Sequence, residues 1–211
     1  MKKKTGLPPR DSWIRLAPGK AIRIDESLSK IWNEKRREWR EVRGNILAAC
    51  FEVEYLLDQV LRVVFFPRLD EAPSEKDTRG HHMEANEDAQ ALERLFDELF
   101  LKSALISFRR KIDLLRDLSS RIPALQRLMP KDIVYKLDKI RDVRNRFAHY
   151  PVTFTPVGDP PIQELCASLV CGDKELTLDK NFFDEYNPLF SSILAEMEEM
   201  LKRLKEDRHR V

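Results

Sequence analysis

The chain has 211 residues, of which 42% are hydrophobic and 35% are charged, and its formal net charge is +2. This length supplies the core of one generous domain with a heavily charged surface and is short for two full domains. Only 6 glycines are present, which disfavours an all-β fold with many tight turns, and the sequence holds neither a G-x-G-x-x-G motif nor a Walker A motif.

The sequence indicates a cytoplasmic protein. No run approaches the 18 apolar residues of a membrane-spanning helix, and the basic start, Met1 to Lys4, is not followed by the apolar stretch of a secretory signal. The three cysteines form no C-x-x-C pair, so we expect reduced thiols rather than a disulfide or zinc framework. We therefore expect no membrane partner, no metal and no cofactor.

The sequence pattern of the first third of the chain predicts an extended N-terminal segment followed by helices. Residues 1–25 contain three prolines and lack periodicity, which predicts an extended N-terminal arm before a helical domain over 26–211. A helix is expected over about 25–43, with Gly44 as a candidate break, and the strongest helix of the chain over 45–66. The apolar face of that helix consists of Ile46, Ala49, Cys50, Val53, Leu57, Val60, Leu61 and Val64.

A polar loop separates these helices from the next ones. Residues 67–86 have no period and predict a mobile loop, in which His81 and His82 are expected to be solvated rather than metal-bound. Three further amphipathic helices are expected over about 87–101, 103–118 and 131–149.

The character of the sequence changes after Pro151. Residues 152–178 are β-like and predict a β-hairpin insertion, with the hairpin itself near 163–178. A last helix is expected to begin after Asp179, to bend or restart at Pro188 and to end near residue 206. The predicted fold is mainly α, a helical bundle with a β-hairpin before the C-terminal helix.

The charges are unevenly distributed. Residues 101–150 carry 13 Lys or Arg and only 5 Asp or Glu, whereas the neighbouring segments are acidic. This block either lines a phosphate-binding groove or is neutralised by acidic helix faces within the fold.

An arginine interrupts the apolar face of the predicted helix 131–149. At about 100° per residue, Ile133, Leu137, Ile140 and Phe147 fall within an arc of about 80°, and Arg144 lies inside that arc. A charge on a buried face is costly unless it is paired, snorkels to water or faces another chain. Asn145 and His149 lie at the edge of the same side.

The end of this helix carries a recognisable string, Ile140-Arg-Asp-Val-Arg144-Asn145-Arg-Phe-Ala-His149-Tyr150-Pro151. Its R-N-x-x-x-H pattern resembles the signature of the HEPN superfamily (higher eukaryotes and prokaryotes nucleotide-binding). The resemblance follows the helix order over about 27–205 and is tightest in 103–149, where the chain also looks like HEPN-type mannitol-repressor proteins. It implies a HEPN-like helical bundle.

The resemblance implies a metal-independent endoribonuclease that acts as a homodimer on RNA, as a toxin or phage-defence effector with an antitoxin or regulatory protein as a further partner. The implied catalytic residues are Arg144, Asn145 and His149. Arg141, Arg146 and Tyr150 are assigned to substrate binding. Glu54, on the flank of the apolar face of helix 45–66, is assigned a supporting role, in which it pairs with Arg144, with Arg43 or with another basic residue.

Two other function classes remain as alternatives. A catalytically inactive HEPN protein of the mannitol-repressor kind would bind protein partners as a regulator or adaptor. A sequence-specific DNA-binding protein is disfavoured, because no helix-turn-helix with an exposed basic recognition helix is evident in the sequence.

Overall fold

The computed structural model describes residues 13–17, 20–23, 26–66, 90–98, 106–157, 164–171 and 174–208, which are mainly helical. Among the described helices, none combines the length and the apolar composition that a membrane span requires. The helices are α1 (Glu26–Phe65), α2 (90–98), α3 (Phe108–Arg121), α4 (Pro123–Leu128), α5 (Ile133–His149) and α6 (Lys180–Arg208).

Within the described residues, five strands form two small antiparallel sheets. Strands β1 (Trp13–Ala17) and β2 (Lys20–Arg23) pair with each other, so the span predicted as an extended arm contains a paired hairpin. Strands β3 (Val152–Val157), β4 (Glu164–Cys171) and β5 (Lys174–Thr177) form a sheet in the order β3-β4-β5. The predicted hairpin before the C-terminal helix is therefore confirmed as β4 and β5, and β3 adds a third strand.

The helices do not break at Gly44 or restart at Pro188. Helix α1 runs for 40 residues through Gly44, and α6 runs for 29 residues with Pro188 inside it. A Cβ added at Gly44 would meet nothing within 4 Å, so this glycine lies at an open position. Its cost relative to alanine is about 1 kcal/mol, which is small beside the packing of a long amphipathic helix. The predicted mobile loop 67–86, with His81 and His82, lies outside the described residues.

The chain divides into two compact units. The first comprises Met1–Ala48 and Arg144–Tyr186, and the second comprises Ala49–Val143 and Asn187–Val211. Helices α1, α5 and α6 each contribute residues to both units.

Aromatic side chains form the core of the first unit. Phe147, Phe154 and Phe182 are buried there. The Trp32 ring meets the Phe154 ring edge-on at a centroid distance of 5.3 Å, and the rings of Phe147 and Phe182 lie 5.8 Å apart. Asp179 begins α6 as expected, because its Oδ1 accepts a hydrogen bond from the backbone N–H of Phe182 at 3.0 Å.

Mainly aliphatic side chains from five helices, α1, α3, α4, α5 and α6, form the core of the second unit. The predicted apolar face of α1 is confirmed for Cys50, Val53, Leu57, Val60 and Leu61, which are buried, whereas Ala49 and Val64 are half-buried. Fully buried residues of this core are Cys50, Val53, Leu57, Val60, Leu61, Ile112, Leu115, Leu125, Ile133, Leu137, Ile140, Ile193 and Met197.

A charged cluster is buried within the second unit. The side chain of Lys111 on α3 is only 4% exposed, and its Nζ donates to Oε1 of Glu54 at 3.1 Å and to Oδ2 of Asp58 at 2.9 Å. Glu54 and Asp58 lie one turn apart on α1, so one ammonium holds both carboxylates. Burial raises the pKa of Asp58 to about 6, although the hydrogen bond and charge of Lys111 act in the opposite direction.

We expect Lys111→Met to lower the free energy of unfolding by about 3–5 kcal/mol, because the change leaves two partly buried carboxylates without their cation. Urea denaturation at neutral pH measures this, with Lys131→Met as the matched control, since Lys131 is exposed and its loss should change stability by at most about 0.5 kcal/mol. Equal effects of the two substitutions would contradict a structural role for the cluster.

The raised pKa of Asp58 also predicts a pH dependence. Its ordinary value is 3.8 and its folded value about 6, so the folded state binds the additional proton between these limits. Protonation of Asp58 makes its full contribution to the free energy of unfolding below about pH 4, and this contribution is lost as the pH rises through about 6. Asp58→Asn should therefore become more stable relative to the wild type as the pH rises from 4 to 7. A difference between the two proteins that stays constant with pH would contradict this assignment.

Candidate functional site

The candidate site residues Arg144, Asn145 and His149 lie at the C-terminal end of α5. The apolar arc expected for this helix is confirmed, since Ile133, Leu137, Ile140 and Phe147 are all 0% exposed. Arg144 lies on the same arc by helical spacing and is half-buried. The burial of its neighbours on the helix keeps this guanidinium partly shielded from water.

The R-N-x-x-x-H string lies entirely within the last turns of α5 and within the first unit. Arg144 and Asn145 are half-buried, whereas His149, the last residue of the helix, is exposed. Asn145 and His149 are four residues apart, which places their Cβ atoms about 5–6 Å from each other on one face. The end of the helix therefore presents a shielded cation, an amide and an accessible imidazole.

The helix end also concentrates basic side chains. Arg146 and His149 both lie in the last turn of α5. The backbone N–H of Tyr150 donates to the carbonyl of Arg146 at 3.0 Å, and Pro151 follows. Unpaired carbonyl groups give a helix C-terminus a partial negative charge, which favours cationic side chains at this position.

A residue from α1 holds this end in place. Arg43 is half-buried, and its Nη2 donates to the backbone carbonyl of Ala148 at 3.1 Å. This bond satisfies one of the last carbonyls of α5 and fixes α1 beside the residue that precedes His149. The sequence pattern shows Arg43 only as a candidate partner of Glu54, since a bond to a backbone carbonyl 105 positions away leaves no periodic signal.

Aromatic packing supports the same turn from within the first unit. Phe147 lies two residues before His149 and contacts Phe182, whose ring lies 4.5 Å from that of Tyr186. A functional group on a packed helix is positioned more accurately than one on a loop. The backbone that carries Arg144, Asn145 and His149 is thus well anchored.

The residues assigned to substrate binding occupy different settings. Arg146 is half-buried and Tyr150 is 37% exposed, and both lie at the end of α5 within the first unit. Arg141 lies in the second unit, where its Nη1 bonds to Asp138 and its Nη2 to Oδ1 of Asp142 at 2.8 Å. The hydrogen bond to Asp142 raises the pKa of Arg141. A guanidinium engaged by two carboxylates is a weak candidate for a phosphate ligand.

Glu54 belongs to the buried cluster of the second unit. Its Oε1 accepts from Lys111, so the structure shows it paired with a basic residue other than the two named from the sequence. Lys111 itself was not singled out from the sequence. It shares the apolar face of α3 with Phe108, Ile112 and Leu115, and a charge on such a face is the signal that identified Arg144.

The end of α5 carries the side-chain types that can transfer protons and bind anions, an imidazole, an amide and guanidinium groups. In the described part of the chain, no group of three or more His, Cys, Asp or Glu side chains is arranged to hold a metal ion. Comparison of the chain with models of protein families, with curated proteins and with solved structures gives no match in any of the three.

Proposed function

We propose that the protein is a metal-independent HEPN-type endoribonuclease, with Arg144, Asn145 and His149 as its catalytic residues. The observation that carries the proposal is the combination of a half-buried arginine with an exposed histidine at the anchored end of α5. Arginine supplies phosphate binding, histidine supplies proton transfer, and the R-N-x-x-x-H spacing resembles the superfamily signature.

The reaction that fits these groups is attack by the RNA 2′-hydroxyl on the adjacent phosphate. A base removes the 2′ proton, the bond from O2′ to phosphorus forms, and the bond from phosphorus to O5′ breaks as an acid protonates O5′. Histidine titrates near neutral pH and serves either role. The products are a 2′,3′-cyclic phosphate and a 5′-hydroxyl, and no metal-bound water is required.

Arg144 and Asn145 have complementary tasks in this mechanism. A guanidinium binds two phosphate oxygens in parallel and stabilises the charge that develops on them, and partial burial strengthens that interaction. Asn145 lies one turn before His149 on the same face, where its amide either orients the imidazole or donates to the phosphate.

The proposed active form is a homodimer. Each motif contains one histidine, whereas the reaction needs both a base and an acid. His149 and Tyr150 are exposed at the end of α5, where a second copy of the motif has access to them. Such a nuclease would act as a toxin or phage-defence effector in the cytoplasm, restrained by an antitoxin or other regulatory protein.

A second candidate function is a regulator or adaptor without catalysis. The observation that favours it is a set of exposed hydrophobic side chains in the second unit. Tyr55 is 61% exposed on α1, and Leu92 and Leu95 are 58% and 50% exposed on α2. Contiguous exposed apolar patches are typical of surfaces that bind proteins, and an adaptor would use these side chains in such a patch.

We expect purified protein to cleave single-stranded or loop RNA in the presence of EDTA, and His149→Ala to lower the rate by about two to four orders of magnitude, the usual contribution of a general acid or base. Tyr135→Ala is the matched control, since Tyr135 is exposed on the same helix and outside the motif. Arg144→Ala should lose a comparable factor. Loss of cleavage on addition of EDTA would contradict the mechanism, and failure to cleave any RNA in a broad screen would favour the adaptor.

The dimer is tested by light scattering and by disulfide crosslinking. In a Cys166→Ser, Cys171→Ser background, we expect Tyr150→Cys to crosslink two chains under mild oxidation, because the motifs face each other. Tyr135→Cys, which is more exposed than position 150 but near the start of α5, is the control and should remain uncrosslinked. A monomer at micromolar concentration, or crosslinking through residue 135 alone, would contradict this arrangement.

A further inference from the structure

The part of α1 that belongs to the first unit carries three arginines along one side. Arg36, Arg40 and Arg43 follow at intervals of four and three residues, which aligns them along one side of the helix, and we call them the arginine row. Arg36 and Arg40 are exposed. Glu34, Glu38 and Glu41 lie on the opposite side of the helix, where Lys35 is paired with Glu38 at 2.8 Å.

The arginine row ends beside the catalytic motif. Arg43, its last member, donates to the carbonyl of Ala148, one residue before His149. An arginine carries five N–H donors, of which this bond uses one. Positive charge therefore continues from the exposed surface of α1 to the end of α5 without leaving the first unit.

The row is anchored by two aromatic contacts made by its own helix. Trp32 packs against Phe154 of β3, and Trp39 lies 6.1 Å from Phe183 of α6. Both partners belong to the first unit, as does His149. These contacts fix the position of the arginine row relative to the motif. A binding surface on a flexible segment would have no such fixed position.

We infer that the arginine row binds the phosphate backbone of single-stranded RNA and leads it to His149. This inference rests on the proposed endoribonuclease and adds the path of its substrate. From Arg36 to Arg43 the helix rises about 10 Å, at 1.5 Å per residue. Over that length the three guanidinium groups can contact phosphates of one continuous strand.

An acidic protein is the other polyanion that such a row attracts, and the surroundings of the row favour RNA. Protein interfaces have an apolar centre. Within the described residues 29–48, no large hydrophobic side chain is exposed, and the exposed residues are mostly polar or charged. Contacts to a nucleic-acid backbone need only charge and hydrogen-bond donors.

The test is fluorescence anisotropy with a labelled, mixed-sequence 2′-O-methyl RNA, which keeps the phosphates and cannot be cleaved through its 2′ oxygen. We expect Arg36→Gln with Arg40→Gln to weaken binding about tenfold at 0.1 M salt and to reduce the slope of log K against log salt by about 1.4, the value for two single-strand phosphate contacts. The matched control is Arg121→Gln with Arg127→Gln, two exposed arginines of the second unit, which should bind like the wild type.

The outcomes separate this inference from the proposed function. If the wild type cleaves RNA but the row variant binds RNA like the control, the proposed nuclease function is supported and RNA binding by the arginine row is contradicted. If the row variant binds RNA more weakly but the wild type cleaves no RNA, RNA binding by the arginine row is supported and the proposed nuclease function is contradicted. If the wild type binds no RNA, or only an acidic protein competes for the row, the inference is wrong.

Discussion

The burial of one face of α5 determines the geometry of the candidate site. Four apolar side chains on this face, from Ile133 to Phe147, are completely buried, so the rotation of the helix about its axis is fixed. With that rotation fixed, Arg144 must lie on the protected side and His149 must emerge at the exposed end. A nuclease site needs this division, because the phosphate-binding cation gains from shielding while the proton-transfer group must reach the substrate.

The first unit anchors the same end of α5 by two kinds of interaction. The Arg43 side chain satisfies the carbonyl of Ala148, and the ring of Phe147 packs on Phe182. The first interaction is polar and directional, and the second is a buried aromatic contact, so together they restrict both the position and the tilt of the last turn. The same Arg43 also connects the end of α5 to the arginine row of α1, which we infer to be the path of the substrate.

Periodic features of the fold could be predicted from the sequence. The apolar arc of α5, the β4–β5 hairpin and the start of α6 at Asp179 all follow from spacing and capping chemistry, which act over a few residues. The continuity of α1 through Gly44 could not be predicted from the sequence, because the packing of a 40-residue helix outweighs the low helix propensity of one glycine.

The candidate site was predictable only in part. Arg144 was found because a charge on an apolar arc is unusual, and Lys111 on α3 could have been found by the same test. The partners of these residues could not be predicted. Glu54 and Lys111 are 57 positions apart, and Arg43 and Ala148 are 105 apart, so only the folded chain brings them together.

The central claim, that the motif at the end of α5 cleaves RNA through the neighbouring 2′-hydroxyl, is tested most directly by the chemistry of the product ends. Mass spectrometry of RNA fragments produced by the purified protein in EDTA distinguishes the two mechanisms. The account predicts fragments with a 2′,3′-cyclic phosphate and a 5′-hydroxyl, which disappear with His149→Ala. Fragments ending in a 3′-hydroxyl and a 5′-phosphate would contradict it, because they require attack by water instead of the 2′-oxygen.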